Sequence, residues 1–142
     1  MAPDGVDVVI FDGLRDLPLF NPDLEVAGPV PPAVQTWRRA LAGSDAVLIA
    51  TPEYGHSLPG ALKNGIDWAI GSGELERKVV AITASTKHPE RGLRGLAALR
   101  DTLLAVSATI VGGEPIVRGA TFEADVRALL ANLVDAAHAA AR

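Results

Sequence analysis

Apolar residues fall along this chain in short unbroken runs, separated by stretches in which they recur at helical spacing. The runs are VDVVIF at residues 6–11, DAVLIAT at 45–51, VVAITA at 79–84 and a shorter ATIV at 108–111. A strand covered on both faces shows no polar alternation, so these β-branched runs predict buried strands of a parallel sheet. The intervening stretches predict helices. Val34, Trp37 and Leu41 form one apolar face behind Pro31-Pro32, with Gly43 placed to end the helix. Leu58, Leu62, Ile66 and Ala69 form a second, with Pro59 in its first turn and Ser57 as the expected N-cap. Leu96, Leu99, Leu103 and Val106 mark a third within residues 93–106. Phe122, Val126, Leu129, Leu130, Leu133, Val134 and Ala137 mark a fourth over residues 122–140. Residues 12–30 hold Pro18, Pro22, Gly28 and Pro29 and predict no regular element. A loop of that length is often functional or faces a partner.

Strands alternating with helices predict an α/β domain whose parallel sheet is covered on both faces. Ligands of such domains sit beyond the carboxyl ends of the strands. Two loops are therefore placed to act, residues 51–60 and 85–92. The 142 residues suit one domain spanning 1–142, with 49% hydrophobic residues to build a core. A net charge of −4 suggests neither nucleic acid nor an anionic membrane as partner. No apolar window reaches the ~20 residues of a membrane span, and the opening MAPDGVDVV does not read as a signal peptide. The chain has no cysteine, which excludes disulfides, thiol catalysis and thiolate metal sites. Any redox chemistry must then be carried by a bound cofactor. His56, His88 and His138 have no metal-ligand spacing, and Ser57 lies in no nucleophile elbow.

The most specific stretch is ATPEYGHSLPGALKNGIDW, residues 50–68, which leaves one predicted strand and enters a helix. Pro52 stiffens the strand exit, Gly55 permits a positive φ, and Tyr54 offers a surface for stacking. The backbone N–H groups of residues 54–57 are placed to meet carbonyl oxygens or ring nitrogens of a flat polar ligand. Lys63 and Asp67 are an ordinary i, i+4 pair, and Trp68 reads as packing or interface.

This stretch resembles the NADPH-dependent FMN reductases and the related quinone, azo and chromate reductases. Their pattern TPEYN-x-S-x-PG-x-LKN-x-x-DW is matched by Thr51, Pro52, Glu53, Tyr54, Ser57, Pro59, Gly60, Leu62, Lys63, Asn64, Asp67 and Trp68. Gly55 stands where that family has Asn, and His56 where Gly is common. The segments IFDGLRDLPLFNPD, VVAITAS and RGLRGLAALRDTLL extend the resemblance over nearly the whole chain. The resemblance implies a flavodoxin-like three-layer α/β sandwich. It implies FMN and NADPH as cofactors, with hydride passing from NADPH to FMN and on to a free flavin, quinone or similar small acceptor. Pro52, Glu53, Tyr54, Gly55, His56 and Ser57 would then line the flavin ring, mostly through backbone, with Ser85 and Thr86 also lining the pocket. Glu53 is expected to stabilise the turn or a subunit contact, since hydride transfer to flavin requires no protein acid or base. Arg91 and Arg94 either meet NADPH phosphates or solvate a helix start. The resemblance also implies a cytoplasmic homodimer or higher homo-oligomer, with residues 12–30 and the Trp68 helix as candidate contacts.

One departure matters. The family opens with a strand, a GSLRKGS-like loop that holds the FMN phosphate, and a long helix. Here Met1 falls where that helix would end, and residues 6–11 match the second strand. The expectation is a domain whose first βα unit is missing, which would open the middle of a sheet ordered 2-1-3-4-5. A second reading follows from this departure: a truncated or degenerate flavodoxin-like domain without FMN, acting only as a binding or structural unit.

Overall fold

Three of the apolar runs pair into one parallel sheet, with strand order β1-β2-β3. The strands are β1 (Ala46–Ala50), β2 (Val79–Thr86) and β3 (Thr109–Val117). The computed structural model describes residues 2–142. Met1, where the resemblance placed the end of the family's first helix, lies outside the described residues. Ala46 is level with Val79, and Val79 with Thr109.

The two faces of β2 explain its unbroken apolar sequence. Val80, Ile82 and Ala84 pack on one side into a core with α2 (Pro32–Ala42), α3 (Gly60–Ile70) and α4 (Leu93–Ala105). Val79 and Ala81 pack on the other side against Leu133 of α5 (Phe122–Ala140). Successive side chains alternate across the sheet, so a strand sandwiched between helix layers is apolar on both faces, and the one buried polar residue of β2, Thr83, donates its hydroxyl to the Glu114 carbonyl at 2.9 Å. This is the three-layer α/β sandwich expected of a flavodoxin-like domain. The predicted helical faces are also in place: Val34, Trp37, Leu41, Leu62, Ile66, Ala69, Leu96, Leu99 and Leu103 are all buried. No helix among the described residues is long and apolar enough to cross a membrane.

Residues 6–11 do not form the predicted strand. They have no sheet partner, and Val9 and Ile10 are 88% and 86% exposed. An apolar run becomes a strand only where a neighbouring edge takes up its N–H and C=O groups. β1 pairs with β2 along one edge only, and Leu48 in β1 remains 38% exposed. Phe11 anchors the segment, with its ring centroid 4.8 Å from that of Trp37.

Residues 12–30 are more ordered than their sequence suggests. They include a 3-10 turn at Leu14–Asp16 and a short helix, α1 (Asp23–Val26). Polar side chains of α3 hold them down: Asn64 Nδ2 and Trp68 Nε1 both donate to the Pro18 carbonyl, at 3.0 and 2.8 Å. Asn64 Oδ1 accepts from the Phe20 N–H at 2.8 Å. Trp68 is therefore a packing residue, fully buried within its own chain. Lys63 and Asp67 form the expected i, i+4 ion pair at 2.7 Å.

Candidate functional site

β1 ends against β2, where the Thr51 N–H donates to the Thr83 carbonyl at 2.9 Å. Pro52 and Glu53 then lead into a hairpin with a two-residue tip. Tyr54 and Ser57 exchange both backbone hydrogen bonds at 3.0 Å, and Gly55 and His56 lie at φ 57° and 63°. Two successive residues of positive φ make the tight turn whose twist suits a hairpin. Gly55 adopts this at no steric cost, whereas His56 bears about 1 kcal/mol or more of backbone strain. Ser57 is committed to the hairpin and is not the N-cap of α3, which begins at Gly60 after Pro59.

The hairpin divides the donors that the sequence groups together. The Tyr54 and Ser57 N–H groups are consumed internally. The Gly55 and His56 N–H groups have no acceptor among the described residues. Beside this tip Tyr54 is 66% exposed, its ring facing solvent.

Glu53 ties the hairpin to a second element. Its Oε2 accepts from the backbone N–H groups of Arg94 and Gly95, both at 3.0 Å, in the first turn of α4. Its Oε1 lies 3.4 Å from His56 Nδ1. The Gly95 N–H above all, with His56 and the Arg94 N–H, holds the Glu53 carboxyl below its ordinary value, against the opposing effect of desolvation. A carboxyl whose folded value is lowered contributes stability above its unfolded value and loses it as the pH falls through the folded one. The stability difference between the parent and Glu53→Gln should therefore shrink on acidification from roughly pH 7 to about pH 3, measured by thermal unfolding. A difference independent of pH would contradict this.

Gly95 allows this close contact, and Gly92 lets the start of α4 approach β2. A Cβ on Gly95 would lie 3.1 Å from Glu53 Cα, Glu53 Cβ and the Ser57 carbonyl. Gly92, at φ 87°, precedes α4, and a Cβ there would meet Ala84 Cβ at 2.9 Å. Neither glycine stands out in the sequence by itself. The available signal was their spacing of three across a helix start, RGLRGL.

Ser85 and Thr86 are strand residues, not loop residues as expected, because β2 continues to Thr86 by pairing with Ile116 and Val117. Ala50 is level with Thr83, so both lie beyond the last paired residue of β1, where the chain turns off toward the hairpin. Ser85 is exposed, and the Thr86 hydroxyl donates to the His88 carbonyl at 2.9 Å. Arg91 and Arg94 both remain exposed. Two surface hollows lie elsewhere, one between β3 and α5 around Gly113 and Asn132, the other between Asp12 and Thr36.

A glycine-tipped hairpin thus stands beyond the carboxyl end of a parallel strand, with two N–H groups that have no acceptor among the described residues. A family model described as NADPH-dependent FMN reductase matches residues 1–122. The chain belongs to the NADPH-dependent FMN reductase family. It is similar to an NAD(P)H-dependent FMN reductase of Pseudomonas aeruginosa, at 44% identity over 69 residues, 49% of this chain and 36% of that protein. It is also similar to a quinone reductase of Escherichia coli K12, at 31% identity over 121 residues, 84% of this chain and 64% of that one. The chain thus spans between about a third and two thirds of these curated relatives. Among solved structures, the flavoenzyme NAD(P)H:(acceptor) oxidoreductase FerB of Paracoccus denitrificans superposes with a TM-score of 0.71 at 27% identity, covering 88% of this chain and 75% of its own. An oxidoreductase of Corynebacterium diphtheriae, 22% identical with a TM-score of 0.60, shares the fold over 82% of this chain and 68% of its own.

Proposed function

We propose that this FMN reductase family member binds the isoalloxazine edge of FMN at the hairpin tip and reduces it with NADPH, for delivery to a free flavin, a quinone or a similar acceptor. The observation that carries this reading is the pair of N–H groups on Gly55 and His56 that have no acceptor among the described residues. They point to a ligand with adjacent acceptors on a flat edge, which the flavin ring has. When bound, FMN would supply a ring position that accepts hydride from nicotinamide and releases electrons onward. The contribution of the chain is to bind and orient. The tip donors hold the ring edge, the exposed face of Tyr54 offers a stacking surface, and Tyr54 and Ser57 close the base of the hairpin. Ser85 and Thr86, beyond the end of β1, would border the same ligand. The reading extends to a cytoplasmic homodimer, in which residues 12–30 supply contact surface: Leu19 and Val26 there are 83% and 84% exposed.

The fit covers one end of the cofactor. No GSLRKGS-like segment occurs in residues 1–142 to hold the phosphate. The second reading is a flavodoxin-like unit that binds or supports without FMN. The two separate on purification. The enzyme reading expects a yellow protein, or saturable FMN binding by fluorescence quenching, and NADPH oxidation that depends on added FMN and a quinone. A colourless chain that neither quenches FMN nor oxidises NADPH would support the non-enzymatic reading instead.

A further inference from the structure

We infer that Glu53 is a positioning residue that latches the hairpin onto α4 and thereby presents the Gly55 and His56 N–H groups to the ligand; the inference rests on the flavin reading above. Three observations converge. The carboxylate takes both the Arg94 and Gly95 N–H groups, so one side chain bridges elements 41 and 42 residues apart. Gly95 has no Cβ where one would press on Glu53 and the Ser57 carbonyl. The other carboxylate oxygen faces His56, a tip residue held at positive φ. The hairpin thus has its base closed by its own backbone and its orientation set from outside by α4.

The latch also has a consequence for anion binding. The first N–H groups of a helix are a ready anion site. In α4 two of them already hold a carboxylate of the same chain. A phosphate of the nicotinamide cofactor would have to displace Glu53 to reach them. The Arg94 and Gly95 N–H groups therefore serve to hold the loop, and the Arg91 and Arg94 side chains beside them stay exposed.

Amide hydrogen exchange and FMN titration, on the parent and on Glu53→Ala, Glu53→Asp and Glu53→Gln, test this together. In Glu53→Ala, exchange at Arg94, Gly95, Tyr54 and Ser57 should accelerate about tenfold or more, while β2 amides stay as protected as in the parent. FMN affinity should fall about tenfold. Glu53→Gln keeps an acceptor without the charge and should recover part of both effects. Glu53→Asp is too short to reach α4 and should resemble alanine. Global loss of protection in Glu53→Ala would shift the comparison to Glu53→Gln and the parent, whose difference must still be confined to these amides. Unchanged exchange at Arg94 and Gly95 would overturn the latch. Faster exchange with unchanged FMN affinity would overturn the positioning role. A parent chain that binds no FMN would overturn the flavin reading alone, with the exchange rates still deciding the latch.

Discussion

Replacing Trp68 with alanine should destabilise the domain by about 3–5 kcal/mol, the range for emptying a large aromatic site in a core. Trp68 is fully buried, its ring lies edge-on to Phe20 at 5.0 Å, and its Nε1–H donates to the Pro18 carbonyl at 2.8 Å. Truncation removes packing from the α3 layer and one of the two bonds that hold residue 18. Against a typical total of about 5–15 kcal/mol, the loss approaches unfolding. Urea denaturation should show a sharply lowered midpoint, with proteolysis first near residues 18–26. Trp68→Phe, which keeps most of the ring and loses only the N–H, should cost much less. A shift under about 1 kcal/mol for the alanine variant would mean that residues 12–30 are held by something other than α3.

The largest functional effect is expected at Gly55. Proline there has no N–H and fixes φ near about −65°, against the φ of 57° at the hairpin tip. Gly55→Pro should therefore weaken FMN binding by about a hundredfold, combining a lost donor with a reshaped turn. Gly55→Ala keeps the N–H and pays only for the left-handed φ, so it should lose about tenfold or less. A Cβ at Gly55 meets nothing within 4 Å, so the alanine variant does not act through packing. His56→Gly keeps the second donor and relieves the strain, and FMN affinity should survive it. Equal losses in His56→Gly and Gly55→Pro would shift the role from backbone to the imidazole.

The fold was legible wherever burial alone decides the pattern. The strand β2 is apolar from Val79 to Ile82 because helices cover both faces, and α5 spans Phe122–Ala140, as its apolar period predicts. Legibility failed where a distant partner decides. Residues 6–11 carry the composition of a strand but lack a paired edge. β3 continues past 111 because Gly112 and Gly113, at φ 70° and 115°, form a bulge where sequence suggests a stop. Ser57 has the residue type of a helix cap, but α3 begins only at Gly60, with Pro59 at the N-cap position. Within the site, residues 52–57 were visible as a unit, yet their division of labour was not. The carboxylate of Glu53 reads as part of a turn, and its partners on α4 lie 41 and 42 residues away. Only the folded chain brings them together.

Backbone amide shifts of ¹⁵N-labelled protein during titration with FMN test the central claim most directly. The expected result is saturable shifts that are largest at Gly55 and His56, weaker at Tyr54, Ser57, Ser85 and Thr86, and absent around Gly113 and Asn132. FMN that binds while Gly55 and His56 stay unmoved, or that shifts the β3–α5 hollow instead, would contradict a flavin site at the hairpin.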